Sequence, residues 1–119
     1  MRLSGPAAGR IATARVLING VREGAHACYI YYEASGAFLL VHDSGMGSAP
    51  LPLGGAVQNG QCRLDGAGTS ATPSKDGLVL RLNLVFDPGF YGEKQIFVAY
   101  DSRAGKQTEL RSVGSWWVP

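Results

Sequence analysis

The sequence predicts an all-β fold, an antiparallel β-sandwich of about seven strands with no significant helix. Large apolar residues alternate with other residues along 78–86, which is the period of a strand with one buried face. Seventeen glycines and six prolines indicate many turns. The apolar segments are short and are separated by turn signals at the spacing typical of a sandwich.

The chain of 119 residues and 12.6 kDa is long enough for one domain with a real core. Gly, Pro and Ala dominate residues 1–10 without any periodicity. We therefore predict a flexible leader or linker over residues 1–10 and a single domain over residues 11–119.

Composition excludes two classes of partner. The formal net charge is +2 and the arginines are scattered, so the chain lacks the basic field that nucleic acid binding needs. No apolar run is long enough to predict a membrane span. The start of the chain lacks the apolar region of a signal peptide. We expect these residues to belong to a longer exported protein.

The central prediction is a pair of long strands, at 78–86 and 94–100, joined by a turn at 87–93. The short connection predicts that the two strands lie side by side. Alternation assigns the following residues to the core: Leu78, Leu80, Leu82, Leu84, Phe86, Ile96, Val98 and Tyr100.

The other strands are predicted in chain order from apolar segments between turn signals. A strand over 11–19 has Val16 and Ile18 on one face and ends at the turn pair Asn19-Gly20. The remaining segments are strands at 27–33 and 37–42 joined as a hairpin, a long loop at 43–55, short strands near 61–64 and 69–71, a loop at 102–109, and a closing strand at 113–119.

The two cysteines, Cys28 and Cys62, each lie in an apolar strand pattern. A disulfide between them would close a loop of about 34 residues and stabilise the fold by roughly 3–4 kcal/mol. It would also place the protein in an oxidising compartment. The alternative is a pair of buried free thiols. His26 and His42 do not stand at metal-ligand spacing to the cysteines, so no zinc site is predicted.

No sequence motif for catalysis or for a cofactor is present, so we expect neither catalytic residues nor a cofactor. The segment Gly66–Ala71 loosely imitates a dinucleotide-binding turn, but it precedes a strand instead of opening a helix. We expect Asp43, Asp65, Asp87 and Asp101 to lie in loops, and Asp43 and Asp101 are weak candidates for calcium. Turn and capping roles are the simpler interpretation of these carboxylates.

Aromatic residues give the best candidates for ligand binding: Tyr29, Tyr31, Tyr91, Trp116 and Trp117. Alternation places Cys28, Ile30 and Tyr32 in the core, so Tyr29 and Tyr31 face the other way and should be more exposed than core residues. At least one of the two tryptophans should also face outward. An exposed ring can stack on a sugar or anchor a protein contact, or it packs against arginine side chains or a neighbouring domain.

A set of segments resembles one protein class as a group. They are Val16–Asn19, Ala27–Tyr29, Val57–Cys62, Leu78–Leu84, Asp101–Gly105 and Trp116–Pro119. Together they resemble an immunoglobulin-like repeat module, similar to fibronectin type III domains, of large exported bacterial surface or secreted proteins. The resemblance covers residues 11–119. It implies a noncatalytic spacer, adhesion unit or scaffold, located extracellularly or at the cell surface, whose partners are neighbouring domains of the same or identical chains.

Two departures from that class change what the resemblance implies. The class has an extra strand ahead of Ile11, where this chain has only the leader. The edge of the sandwich is then incomplete or is supplied by a neighbour. The antibody-type tryptophan between the cysteines is also absent, so a link between the two sheets cannot be assumed for Cys28 and Cys62.

Three functions therefore stay open at the level of the sequence. The first is a noncatalytic structural or adhesion module. The second is a carbohydrate-binding module that uses exposed Trp or Tyr and binds polysaccharide. The third is a filament subunit that assembles through strand-edge complementation.

Overall fold

The computed structural model describes residues 2–4, 11–74, 77–102 and 109–118, and in these ranges it contains ten strands and no helix. The strands are β1 (Arg2–Ser4), β2 (Ile11–Asn19), β3 (Cys28–Glu33), β4 (Phe38–Val41), β5 (Ser48–Pro50), β6 (Ala56–Gln58), β7 (Cys62–Ser74), β8 (Gly77–Phe86), β9 (Gly92–Ser102) and β10 (Arg111–Val118). Within the described ranges, no segment is a helix with the length and apolarity that a membrane span requires.

The strands form two sheets that pack face to face. Sheet A has the order β1-β8-β7-β6, and sheet B has the order β10-β9-β2-β3-β4-β5. Every neighbouring pair is antiparallel. The predicted all-β sandwich is confirmed.

The core between the sheets follows the predicted alternation. On β8, Leu78 and Leu80 are buried, while Arg81 and Asn83 on the opposite face are exposed. On β9, Val98 is buried in the same core. The other inward-facing residues of the two strands are partly buried against it: Leu82, Leu84, Phe86, Ile96 and Tyr100. Period-two patterning therefore identified the buried face of both long strands correctly.

The predicted side-by-side arrangement of the two long strands is wrong. β8 pairs with β7 and β1 in sheet A, whereas β9 pairs with β2 and β10 in sheet B. The chain crosses between the sheets at 87–91, where the Asp87 N–H donates to the Gln61 carbonyl at 2.8 Å and the Phe90 N–H donates to the Asp87 carbonyl at 2.9 Å. The apolar faces of the two strands thus meet across the core, which buries both.

The leader contains a strand that the sequence analysis did not predict. Arg2, Leu3 and Ser4 pair with Val79, Leu78 and Gly77 on the outer edge of β8. Three residues are too few to show a period, and backbone pairing needs no side-chain pattern. The other leader residues, 1 and 5–10, lie outside the described residues, as do 103–108 of the predicted loop and 119.

Two segments differ from prediction in length. The predicted strands near 61–64 and 69–71 are parts of one strand, β7, which contains an irregular register between Asp65 and Ser70. Gly68 has a φ of 85° there, a conformation that glycine adopts at little cost. The loop at 43–55 contains the short strand β5, which pairs with β4.

The outer face of sheet B carries a second apolar cluster of Leu17, Ala27, Tyr29, Val41 and Phe97, with Tyr31 and Leu110 packed against it. The expectation that Tyr29 is exposed is wrong, because only 7% of its surface is accessible. Tyr31 is half-buried. The segment around Leu110 is held by Arg22, whose guanidinium donates to the Leu110 carbonyl at 3.0 Å.

The disulfide is confirmed, and it links the two sheets. Cys28 begins β3 in sheet B and Cys62 begins β7 in sheet A, with 5.6 Å between their Cα atoms. Their exposed fractions are 0% and 2%. The bridge therefore closes the core at one end of the sandwich, although no tryptophan lies between the cysteines in sequence.

Asn59 makes a polar link beside the disulfide. Its Nδ2 donates to the carbonyls of Ala27 and Val41 in sheet B at 2.9 and 3.0 Å. Its Oδ1 accepts from the backbone N–H groups of Gln61 and Cys62 at 2.9 Å each. One side chain thus satisfies four backbone groups from both sides of the sandwich.

We predict that Asn59→Ala destabilises the fold by about 2–4 kcal/mol, because four partly buried backbone groups lose their partner. Asn59→Asp should cost at least as much, since its carboxylate would face two carbonyl oxygens. The measurement is urea unfolding. The control is Asn83→Ala, which removes an exposed bond to the Ala67 carbonyl and should cost under about 1 kcal/mol. Equal losses for the two alanine variants would contradict this role for Asn59.

Candidate functional site

Three of the described aspartates accept backbone hydrogen bonds, although two of the aspartates expected in loops, Asp65 and Asp101, lie in β7 and β9. Asp43 Oδ1 accepts from the Gly60 N–H at 2.8 Å, and Asp87 Oδ2 accepts from the Gly89 N–H at 2.8 Å. Asp65 Oδ1 accepts from the Ala67 N–H at 3.1 Å. The Asp65 and Asp87 bonds, each from the N–H two residues on, are the turn roles that the sequence favoured. The Asp43 bond instead joins two loops that are 17 residues apart in sequence.

The two weak calcium candidates lie at opposite ends of sheet B. Asp101 pairs with Thr13 near the start of β2, and its carboxylate lies 3.9 Å from the Arg15 guanidinium. The Asp43 carbonyl accepts from the backbone N–H of His26 at 2.8 Å. His26 precedes β3, whose first residue pairs with Ile18 near the end of β2. Among the described residues, no three His, Cys, Asp or Glu side chains come together as a metal site would require.

The five aromatic candidates do not form one surface. Tyr29 and Tyr31 lie on the outer face of β3. Two strands, β2 and β9, lie between β3 and β10, which carries the tryptophans. Tyr91 and Trp117 are 71% and 68% exposed near the start of β9 and the end of β10. The expectation that at least one tryptophan faces outward is confirmed by Trp117.

Trp116 belongs to an aromatic cluster at the end of the sandwich. Its ring meets Phe86 of sheet A edge-on, with 5.0 Å between ring centroids. Phe86 in turn stacks on Phe90 at 5.9 Å, and the Lys94 ammonium lies 4.2 Å from the centroid of the Phe90 ring. These contacts hold Trp116 in a fixed position between the sheets, although 43% of it remains exposed.

An apolar cleft of about 370 Å³ lies beside Trp116, between the two sheets. It is lined by Val16, Ile18, Leu80, Leu82, Leu84, Ile96, Val113 and Trp116. Val113 is 57% exposed and lies where the pairing of β10 with β9 is irregular, between Ser112 and Gly114. We call this space the lateral cleft.

The lateral cleft exists because sheet B extends past the edge of sheet A. The disulfide places β7 over β3. Because the cleft is lined by residues of β8 together with residues of β2 and β9, β8 lies on the β2 side of β7. β9 and β10 then project beyond β8, and the described part of β1 pairs with Gly77–Val79 of that edge. The sequence predicted Leu82 and Leu84 as core residues. It could not show that no described strand lies beside them on the outer edge of β8.

Tyr29 and Tyr31 form a titratable pair on the other face of sheet B. The Tyr31 hydroxyl donates to the Tyr29 hydroxyl at 3.4 Å, and their ring centroids are 5.1 Å apart. Burial raises the pKa of Tyr29 to about 12. This pair is part of the second apolar cluster and not an open ligand surface.

The fold and the lateral cleft define a disulfide-linked β-sandwich with an open apolar side. The chain matches no family model, and neither a curated protein nor a solved structure is significantly similar to it. The likeness to immunoglobulin-like modules therefore remains a proposal.

The Tyr29 pair predicts a loss of stability at high pH. The pKa of Tyr29 is raised in the folded chain, so its stabilising effect is complete below the ordinary value near 10 and is lost as pH rises towards about 12. Unfolding by urea from pH 9 to 12 should show this decline.

Tyr29→Phe should flatten that decline, because phenylalanine cannot ionise. Tyr91→Phe is the matched control, since Tyr91 is 71% exposed, and it should leave the decline unchanged. A Tyr29→Phe profile parallel to the native one would contradict the assignment.

Proposed function

We propose that this chain is a noncatalytic interaction module of an exported protein, an immunoglobulin-like scaffold that binds its partners through an apolar side of the sandwich. The lateral cleft carries this proposal. A cleft with an exposed valine and a half-exposed tryptophan is unfavourable in water and is typical of a contact surface.

The disulfide supports an extracellular or cell-surface location. Buried disulfides that link the sheets of small domains are typical of proteins from oxidising compartments. This bridge joins β3 to β7 beside the Asn59 link, so it fixes how the sheets overlap. The same overlap determines the shape of the lateral cleft.

The use of the polar side chains favours a module without catalysis. Asp43, Asp65 and Asp87 accept hydrogen bonds from backbone N–H groups of the fold. His26 and His42 are exposed, and neither imidazole has a hydrogen bond to another described side chain. A hydrolytic triad requires a base that is in contact with a nucleophile and is oriented by a third group.

A first test concerns the disulfide. Reduction, or the double change Cys28→Ala and Cys62→Ala, should lower the free energy of unfolding by about 3–4 kcal/mol. Thiol labelling of the chain isolated from the cell that makes it should find both cysteines oxidised. Free thiols in a cytosolic chain of undiminished stability would overturn the proposal of an exported module.

Carbohydrate binding is the second candidate, favoured by the exposure of Tyr91 and Trp117. Flat rings of this kind can stack on sugar rings. Trp117 pairs with Glu93 across the strands, so a carboxylate that could accept hydrogen bonds from sugar hydroxyls lies beside the indole.

This second candidate predicts that the oxidised chain is retained on insoluble polysaccharide, and that Trp117→Ala abolishes retention without loss of stability. Trp116→Ala should retain binding, because Trp116 packs on Phe86 between the sheets. A panel of cellulose, chitin and xylan separates the outcomes. Absence of retention on every polymer would remove carbohydrate binding and leave the protein-contact module.

A further inference from the structure

We propose that the lateral cleft binds one extended segment of another polypeptide, which adds to sheet A as a strand antiparallel to β8 along Leu82–Phe86. This inference rests on the proposed function and names the kind of partner that the cleft takes. The partner segment has aliphatic residues at alternate positions.

The first support is the set of backbone groups that β8 presents on its outer edge. The Asn83 N–H bonds to Thr69 Oγ1 of β7 at 3.1 Å, and the Asp87 N–H bonds to the Gln61 carbonyl at 2.8 Å. Odd-numbered residues in this part of β8 therefore direct their N–H groups towards β7. Because backbone direction alternates along a strand, Leu82, Leu84 and Phe86 direct theirs to the opposite edge.

Among the described residues, no strand pairs with that outer edge from Leu82 to Phe86, since β1 begins opposite Val79 and runs from there towards Gly77. A row of unpaired N–H and C=O groups is a template for an added strand. The same three residues turn their side chains into the core side of sheet A, where Leu82 and Leu84 line the lateral cleft. Backbone pairing and side-chain burial would thus occur at the same positions.

The second support is continuity with β1. β1 already pairs antiparallel with the first residues of β8, with Arg2 opposite Val79. A strand placed farther along the same edge in the same direction would continue that ladder, with its carboxyl end towards Arg2. The existing pairing therefore shows that this edge of β8 accepts an antiparallel neighbour.

The third support is the overhang of sheet B, which selects a single strand over a second copy of the domain. β9 and β10 project beyond β8 and cover one side of the space in which the added strand would lie. Adjacent strands lie about 4.8 Å apart. If the β8 edges of two copies were paired, each copy's projecting strands would collide with those of the other. A single strand fits in the space that β9 and β10 cover.

The volume of the lateral cleft fits the side chains of such a strand. Its roughly 370 Å³ compares with the roughly 150 Å³ of an apolar cavity that accepts a benzene ring. About two large aliphatic side chains therefore fit, and residues of one strand that face the same way alternate with a period of two. Val113 and Trp116 would lie against them from β10.

Two cations border the site. Arg81 lies on the outer face of β8 and Arg111 begins β10, and both are exposed. No described residue forms an ion pair with either one. Acidic residues between the aliphatic positions of the partner would face the outer side of sheet A and would complement the charge of Arg81.

The experiment uses the oxidised chain and a synthetic peptide of about nine residues in which valine, isoleucine and leucine alternate with glutamate and threonine. A control peptide has the same composition but consecutive aliphatic residues. Binding is followed by the fluorescence of Trp116 in a Trp117→Phe background. Amide hydrogen exchange identifies the backbone groups that become paired.

The alternating peptide should bind and should slow exchange at Leu82, Leu84 and Phe86 by about tenfold or more, while Asn83 and Val85, which face β7, change little. Val113→Asp should weaken binding at least about tenfold, because it places a carboxylate at the cleft beside apolar side chains. Val21→Asp is the matched control, since Val21 is 59% exposed elsewhere, and it should bind normally.

Three results would overturn the inference. The first is equal binding of the two peptides. The second is binding without protection of Leu82, Leu84 and Phe86. The third is that, without peptide, these amides become protected as the concentration of the chain rises and light scattering detects a dimer. The last result would assign the edge to a second copy. None of them alters the thiol-labelling test, so failure of this inference is distinguishable from failure of the exported module.

Discussion

The link between Cys28 and Cys62 is the constraint on which the arrangement of the two sheets depends. It joins β3 to β7 within the core, and Asn59 bonds to both sides beside it. Two stacked sheets held only by apolar contact could slide relative to each other, because the hydrophobic effect is not directional. A covalent bridge and four hydrogen bonds at one end fix the overlap.

The fixed overlap explains why one side of the sandwich is open. With β7 held over β3, two strands of sheet B extend beyond β8, and among the described residues sheet A has the three residues of β1 on that side. The apolar side chains of Leu82, Leu84 and Ile96 therefore meet a space instead of a facing strand. A closed sandwich of the same composition would offer no such surface.

The aromatic residues divide between structure and surface. Tyr29 is packed into the second cluster on sheet B, and Trp116 is fixed against Phe86. Tyr91 and Trp117 remain open to solvent. The same residue types thus serve as packing in one place and as candidate contact residues in another, and only burial separates the two groups. An interaction module that uses the lateral cleft and one that uses Trp117 would present different sides to their partners.

The sequence by itself determined the fold class and the inward faces of β8 and β9, and it predicted the disulfide while leaving two free thiols as the alternative. These properties depend on period-two alternation and on composition, which are local. The tertiary structure alone decided that β8 and β9 lie in different sheets, that Tyr29 is buried, that Asn59 links four backbone groups, and that Leu82 and Leu84 line a cleft. Each of these depends on which strand lies beside or above another, and alternation specifies which face of a strand is buried but not which partner buries it.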